Sequence, residues 1–370
     1  MTWIYEHKDW QAFTWDSKVL SRPLADMRYC QGRLLGRMAG LGFELKGEAS
    51  LGTLVDDVVM SSAIEAEVLN PTEVRSSVAR RLGMDVGGLV PSSRDVDGVV
   101  EMMLDATQGF AEPLTRSRLF NWHRSLFPTG NSGMRRIVVG AWRKAATEPM
   151  QVVSGAIGRE KVHFQAPAAD TLDDEMRVFL AWFNQQRTLD PVIKAGIAHL
   201  WFVTIHPFED GNGRMARAIS DMALARADGM RERFYSLSSQ IKAERKAYYQ
   251  QLESQQRGSP DITGWLDWFL GCLGRAIARA EGTLSRVLFK AQLWETINQK
   301  PINERQRLII NRMLDDSFKG YMNTSKYAQL AKCSTDTALR DIQALKGRGI
   351  FIQNAGGGRS TSYRLPSGEA

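Results

Sequence analysis

Through most of the chain, apolar residues return every third or fourth position, the spacing that turns one stripe of a helix toward a core. Leu34, Leu35, Met38 and Leu41 keep that spacing near the N-terminus, just after Trp3, Trp10, Phe13 and Trp15 crowd together. Residues 1–48 therefore read as a small helical module with an aromatic cluster, punctuated at its end by Gly40, Gly42 and Gly47. A helix is expected over 53–68, stopped by Asn70-Pro71, with others over 96–110 and 116–127 beyond a glycine-rich break at 84–91. The stretch 152–167 differs in kind: Val, Ile and Phe surround Gly155 and Gly158, which predicts a β-hairpin.

Helical spacing then returns, with Leu172, Met176, Phe179, Leu180 and Phe183 on one face of a helix over 171–184. Asp190-Pro191 is an N-cap followed by proline at the first helical position, so a further helix runs to about 204. It is apolar nearly all round and should be the central buried helix. Helices over about 213–227, 240–254 and 262–279 complete a helical unit placed at 49–288. The last stretch, 300–370, reads as a separate unit: a helix capped by Asn303 and reaching about Asp315, a second over 324–331, a tight turn at 332–334, and a third over 335–346. Strands over 350–353 and 361–365 follow, with Gly356, Gly357 and Gly358 between them. Three short helices and a glycine-tipped hairpin are the layout of a winged helix-turn-helix. The fold class expected is mostly α.

The 370 residues, 43% hydrophobic and 24% charged, have an ordinary globular composition with room for two or three compact units. Residues 262–280 are the most membrane-like stretch, but Asp267, Arg275 and Arg279 interrupt it, so no membrane span is expected. The opening residues lack the layout of a signal peptide, and Cys30, Cys272 and Cys333 follow no metal or redox spacing; both point to a cytoplasmic protein. Of the net charge of +7, most lies in 300–370, which holds 12 Lys/Arg against 6 Asp/Glu. That local excess suggests an anionic partner for the tail, with DNA and protein contact both open. Thr335, Asp336, Thr337 and Arg340 would lie on the third helix, with Lys332, Lys346 and Arg348 near phosphates and Arg359 in the wing.

The chemistry concentrates in His206-Pro207-Phe208-Glu209-Asp210-Gly211-Asn212-Gly213-Arg214-Met215-Ala216-Arg217. Two glycines flank Asn212 between two helices, where successive backbone N–H groups can curl into an anion nest at a helix N-terminus. Arg214 and Arg217, three apart, share one face of the first turn, and two guanidinium forks beside a nest suit a polyphosphate. Asp210 offers a hard oxygen to Mg²⁺, and a neutral His206 can accept a proton from an attacking hydroxyl.

These residues match the signature H-P-F-x-D-G-N-G-R-x-x-R at every specified position, and the chain resembles the Fic family over roughly 53–279. The aromatic module at the N-terminus is also similar to one found ahead of many bacterial Fic proteins. The resemblance implies a protein adenylyltransferase that moves AMP from ATP, with Mg²⁺, to a Ser, Thr or Tyr hydroxyl of a protein, with the enzyme itself left open as a target. It makes His206 the general base and Asp210 the Mg²⁺ ligand, and it gives nucleotide contacts to Gly211, Asn212, Gly213, Arg214, Met215, Ala216 and Arg217. Tyr248 matches a position lining the adenine pocket, though helix packing would equally explain it, and Gln256 falls where relatives place a polar residue. The hairpin 152–167 corresponds to a flap on which the target segment docks by strand pairing.

Upstream, Ser61 and Glu65 resemble the family's inhibitory motif, S/T-x-x-x-E followed by Gly or Asn, except that Ala66 stands at the small-residue position. Glu65 would then pair with Arg217 and leave ATP misaligned. A nucleotide-sensing, DNA-binding transcriptional regulator and a Fic-type enzyme that removes AMP are the alternative readings, and a homodimer is a further expectation.

Overall fold

The computed structural model describes residues 2–84, 89–155, 159–185, 189–314, 318, 320–355 and 361–366. The glycine wing tip with Arg359, Gly158 of the hairpin, part of the 84–91 break and the helix end near Asp315 lie outside them. Among the described residues there are fourteen α-helices and three two-stranded antiparallel pairs, a mostly α fold. They divide into two compact units, Met1–Glu281 and Gly282–Ala370.

In the first unit, α1 (Ser17–Ala39) starts on Asp16, whose carboxylate accepts from the N–H of Lys18 at 2.8 Å. The helix expected over 53–68 begins earlier and ends sooner, as α2 (Phe43–Ile64), so the expected boundary at 48/49 falls inside one continuous helix. Asn70-Pro71 does not only stop a helix. The Asn70 side chain accepts from the Thr72 N–H and Pro71 sits at the first position of α3 (Pro71–Arg81), which the sequence reading left out. Next come α4 (Arg94–Gln108), α5 (Arg116–Leu126) and the short pair β1 (Asn131–Ser132) and β2 (Arg135–Arg136), also unforeseen. The expected hairpin is present as β3 (Gln151–Ser154) and β4 (Lys161–Gln165), with a bulge at Val152/Val153.

After α6 (Leu172–Asn184), the central helix α7 (Pro191–Ile205) is capped by Asp190 and almost wholly buried. It packs along α8 (Asn212–Asp228), the helix that follows the motif loop. A single helix was expected over 240–254; the chain breaks at Glu244 into α9 (Leu237–Ala243) and α10 (Arg245–Gln256). Helix α11 (Thr263–Asn298) outlasts its expected end.

The second unit has its own core, in which Ile297, Ile309, Ile310, Met322, Tyr327, Ile342, Leu345 and Phe351 are buried. Its elements are α12 (Glu304–Met313), α13 (Thr324–Ala331), α14 (Thr335–Gly347) and the pair β5 (Ile352–Gln353) and β6 (Tyr363–Arg364). Asn303 caps α12 in a capping box with Gln306. No helix among the described residues is long and apolar enough to cross a membrane.

Candidate active site

The motif loop joins the end of α7 to the start of α8, and buried polar groups hold its shape. Asn212 closes a two-way bracket on Phe208, accepting from its N–H at 3.0 Å and donating to its carbonyl at 2.8 Å. Phe208 is buried and stacks on His123 of α5 at 4.2 Å. The His123 imidazole is itself committed: Nδ1 accepts from the Gly140 N–H at 3.1 Å and Nε2 donates to the Asp210 carbonyl at 3.2 Å. Burial lowers its pKa to about 4, so it stays neutral and serves as a strut. Gly211 is left-handed, φ 79°, and a Cβ there would stand 2.9 Å from the Phe127 ring, so glycine is required twice over.

His206 ends α7 in a left-handed conformation, φ 52°, uncommon for a side chain that bears a Cβ. Its Nδ1 lies 3.2 Å from the Val203 carbonyl, which can only accept. The proton therefore sits on Nδ1, and Nε2 carries a lone pair. Burial lowers the imidazole pKa to about 4, keeping that lone pair available near neutrality. Arg143 fixes the backbone here: Nε donates to the His206 carbonyl at 2.9 Å and Nη2 to the carbonyl of Pro167, just beyond β4. One carboxylate oxygen of Asp210 accepts from the Gly211 N–H at 2.6 Å, and the other accepts from the Ser132 hydroxyl in β1.

Both motif arginines are deeply buried, and each is met by a carboxylate from the segment after α2. Arg217 donates through Nε to the Ser61 hydroxyl, and through Nη2 to the Ser61 carbonyl and to Glu65, each at 2.9 Å. Its Nη1 is buried without a partner among the described residues. Arg214 donates to Glu67 and lies over the Phe127 ring at 5.0 Å. The Glu65 carboxylate also overhangs the start of α8: a Cβ added at Gly213 would stand 2.2 Å from its Oε1. The place where an anion would meet the helix N-terminus thus holds Glu65.

The end of α2 is clasped from α9 and α10. Lys242 donates to the Ala63 carbonyl at 2.5 Å and Arg245 to the Ile64 carbonyl at 2.7 Å, satisfying groups that a helix end leaves open. Tyr249 donates to Glu65 at 3.2 Å. Two turns further back, Asp57 faces the same seam as Asp221 of α8; both are buried and both keep one oxygen without a partner among the described residues. Burial, and after it the nearby Asp221 carboxylate, raise the pKa of Asp57 well above the carboxylate range, and burial raises Asp221 to about 6.

Several side chains expected to contact nucleotide are engaged with other groups of the protein. Met215 and Ala216 are fully buried, and the Met215 N–H is spent on the Gly211 carbonyl at 3.0 Å, so only the backbone ahead of them can face an anion. The Asn212 side chain is spent on the loop bracket. Tyr248 is 1% exposed, bonds His199 Nε2 at 2.9 Å and lies beside Arg217, while its neighbour Tyr249 reaches Glu65. Gln256 is buried and turns to the Thr204 hydroxyl at 3.4 Å. The sequence reading missed His123, Arg143, Ser132, Glu67 and Tyr249. Only Glu67 carried any signal, as a second acid two residues beyond Glu65.

A single aspartate is a small donor set, but it suits Mg²⁺, which takes one or two carboxylates and completes its shell with phosphate and water. No group of three or more His, Cys, Asp or Glu that could hold a metal by itself occurs among the described residues.

Two family models match the chain: a domain of unknown function, DUF4172, over residues 3–84, and the Fic/DOC family over residues 113–224. The chain is 29% identical over 167 residues to protein adenylyltransferase fic-1 of Caenorhabditis elegans, covering 45% of this chain and 30% of that protein. It is 32% identical over 113 residues to protein adenylyltransferase Fic of Nematostella vectensis, covering 30% of this chain and 25% of the relative. It thus matches between a quarter and a third of the length of these curated relatives. Among solved structures, a Fic family protein from Desulfovibrio desulfuricans superposes with a TM-score of 0.50 at 20% identity, over 94% of this chain and 97% of that one. A Fic domain containing signaling protein from Bacteroides thetaiotaomicron gives 0.51 at 20% identity, over 69% and 96%. These two likenesses concern the fold.

Proposed function

We propose that this chain, which carries a Fic domain, transfers AMP from ATP to a hydroxyl side chain of a protein, with Glu65 holding the activity in check. The observation that carries the reading is the convergence on one loop of a neutral imidazole with a free lone pair, a carboxylate, a helix N-terminus and two buried arginines. In the reaction, Nε2 of His206 accepts the proton of the target hydroxyl. The hydroxyl oxygen bonds to the α-phosphorus, and the bond from that phosphorus to the bridging oxygen breaks, releasing pyrophosphate. Arg217 and Arg214 hold the phosphates once their glutamates withdraw, and the start of α8 adds backbone N–H groups. Mg²⁺ held by Asp210 would offset the negative charge on the phosphates. The target segment would add a strand to the β3–β4 pair, whose base is tied by Arg143 to His206. Thiols that are free at all three cysteines accord with a cytoplasmic setting.

Incubation with labelled ATP in host lysate tests this. Glu65→Gly is expected to raise labelling, and His206→Ala, made in the Glu65→Gly background, to abolish it while nucleotide binding persists. Loss of mass from a modified target, in place of gain, would instead support AMP removal. Persistent labelling without His206 overturns the assigned base.

A second reading concerns the second unit, in which Lys332 and Arg340 are exposed on and beside α14, the helix that a winged helix-turn-helix would present to DNA. The full chain is expected to shift DNA duplexes in gels, with affinity falling steeply as salt rises. Absence of any shift at low salt removes this reading and leaves the enzyme reading untouched.

A further inference from the structure

Glu65 and Glu67 are two residues apart, and on a continuing helix such neighbours would not share a face. Here they do converge, because the chain turns between them. Ala66 is left-handed at φ 64°, and the Glu67 N–H reaches back to the Ser62 carbonyl at 3.1 Å, a Schellman-type ending. The reversal sends Glu65 to Arg217 and the start of α8, and Glu67 to Arg214. Both arginines are nine-tenths or more buried, and each has a nitrogen without a partner among the described residues, Nη1 of Arg217 and Nε of Arg214. A buried guanidinium with unspent donors is built for more acceptors than one carboxylate supplies.

Resting on the nucleotide-binding reading above, we propose that residues 65–67 form a two-pronged internal stand-in for a polyphosphate, in which Glu67 masks Arg214 independently of the Glu65–Arg217 pair. The two prongs differ in what they withhold. Glu65 overlies Gly213 and so blocks the helix N-terminus itself, whereas the Glu67 carboxylate, among the described residues, bonds Arg214 alone, with its side chain 40% exposed. Removing Glu67 therefore frees a phosphate ligand without clearing the nest. Its effect belongs in nucleotide affinity more than in the rate of transfer.

The test is calorimetric titration of α,β-methylene ATP with Mg²⁺, which cannot transfer AMP, into wild type, Glu67→Gln, Glu65→Gly and the double variant. Glu67→Gln is expected to tighten binding about fivefold, a modest gain in keeping with a half-exposed partner. The double variant should bind more tightly than Glu65→Gly by a similar factor. In transfer assays, Glu67→Gln should lower KM for ATP with little change in kcat, while Glu65→Gly raises kcat. If Glu65→Gly binds the analogue and Glu67→Gln leaves affinity unchanged in both backgrounds, the second prong is wrong and the parent reading survives. If none of the four proteins binds the analogue, the nucleotide site itself falls, and the proposal with it.

Discussion

At the scale of the residue, the decisive arrangement is an imidazole with one nitrogen spent on a carbonyl and the other left open. Because burial lowers the His206 pKa to about 4, the basic form dominates from neutrality down to mildly acid conditions. The sign follows directly: a base works above its pKa and fails below it. The Glu65→Gly variant is expected to transfer AMP at a nearly constant rate from pH 7.5 to about 5, then fall roughly tenfold per pH unit below 4. An apparent pKa near 6.5 in the pH–rate profile would show that His206 is not held neutral by burial. The motif residues were legible because their spacing in the chain is their spacing in space. Tyr248 and Tyr249 were not separable in this way: consecutive residues on a helix point about 100° apart, and nothing local says which faces the site. His123 and Arg143 act from α5 and the loop after β2, and no spacing links them to the motif.

At the scale of the element, the feature to weigh is the seam between α2 and α8. Asp57, Ser61 and Glu65 recur every four residues along one helix, and Asp221, Arg217 and Gly213 recur every four along the other in the reverse direction. The three facing sets are not equal. Ser61 and Glu65 attract Arg217, while Asp57 and Asp221 repel once both are ionised; Arg233 reaches Asp221 at 3.0 Å and Ser236 donates to Asp57. Both carboxyls have raised pKa values in the fold, so the stability they contribute is full below the usual carboxylate range and is lost as pH rises, through about 6 for Asp221. Asp57→Asn, which removes one charge and keeps an acceptor for Ser236, should raise the melting temperature more at pH 8 than at pH 5. A gain confined to the acid side would reverse the assigned sign. Long helices with clear periodicity were predictable in place and type. The miss at α3 came from reading proline as a stop where, behind Asn70, it is a start. The two-residue strands β1 and β2, which deliver Ser132, are too short to leave a pattern.

At the scale of the whole molecule, the first unit holds the loop, the arginines and the segment that masks them, and the second has its own apolar centre. Ile342 is fully buried there, and truncation of such a side chain costs about 2–5 kcal/mol. Calorimetric scans of Ile342→Ala should show one transition moved to lower temperature while a second, that of the first unit, stays in place. A single transition that moves as a whole would mean the two units unfold together. The composition shift that set off the basic tail was visible in the sequence because charge, unlike packing, can be counted along the chain.

Arg143 carries a consequence of its own. One guanidinium grips both the carbonyl of His206 and the Pro167 carbonyl two residues beyond β4, so the two stretches share a single rivet. Any peptide clipped to that ribbon would tug on the proton acceptor through a span of one side chain. Recognition of the right guest and readiness to deprotonate it would then be two readings of the same mechanical event.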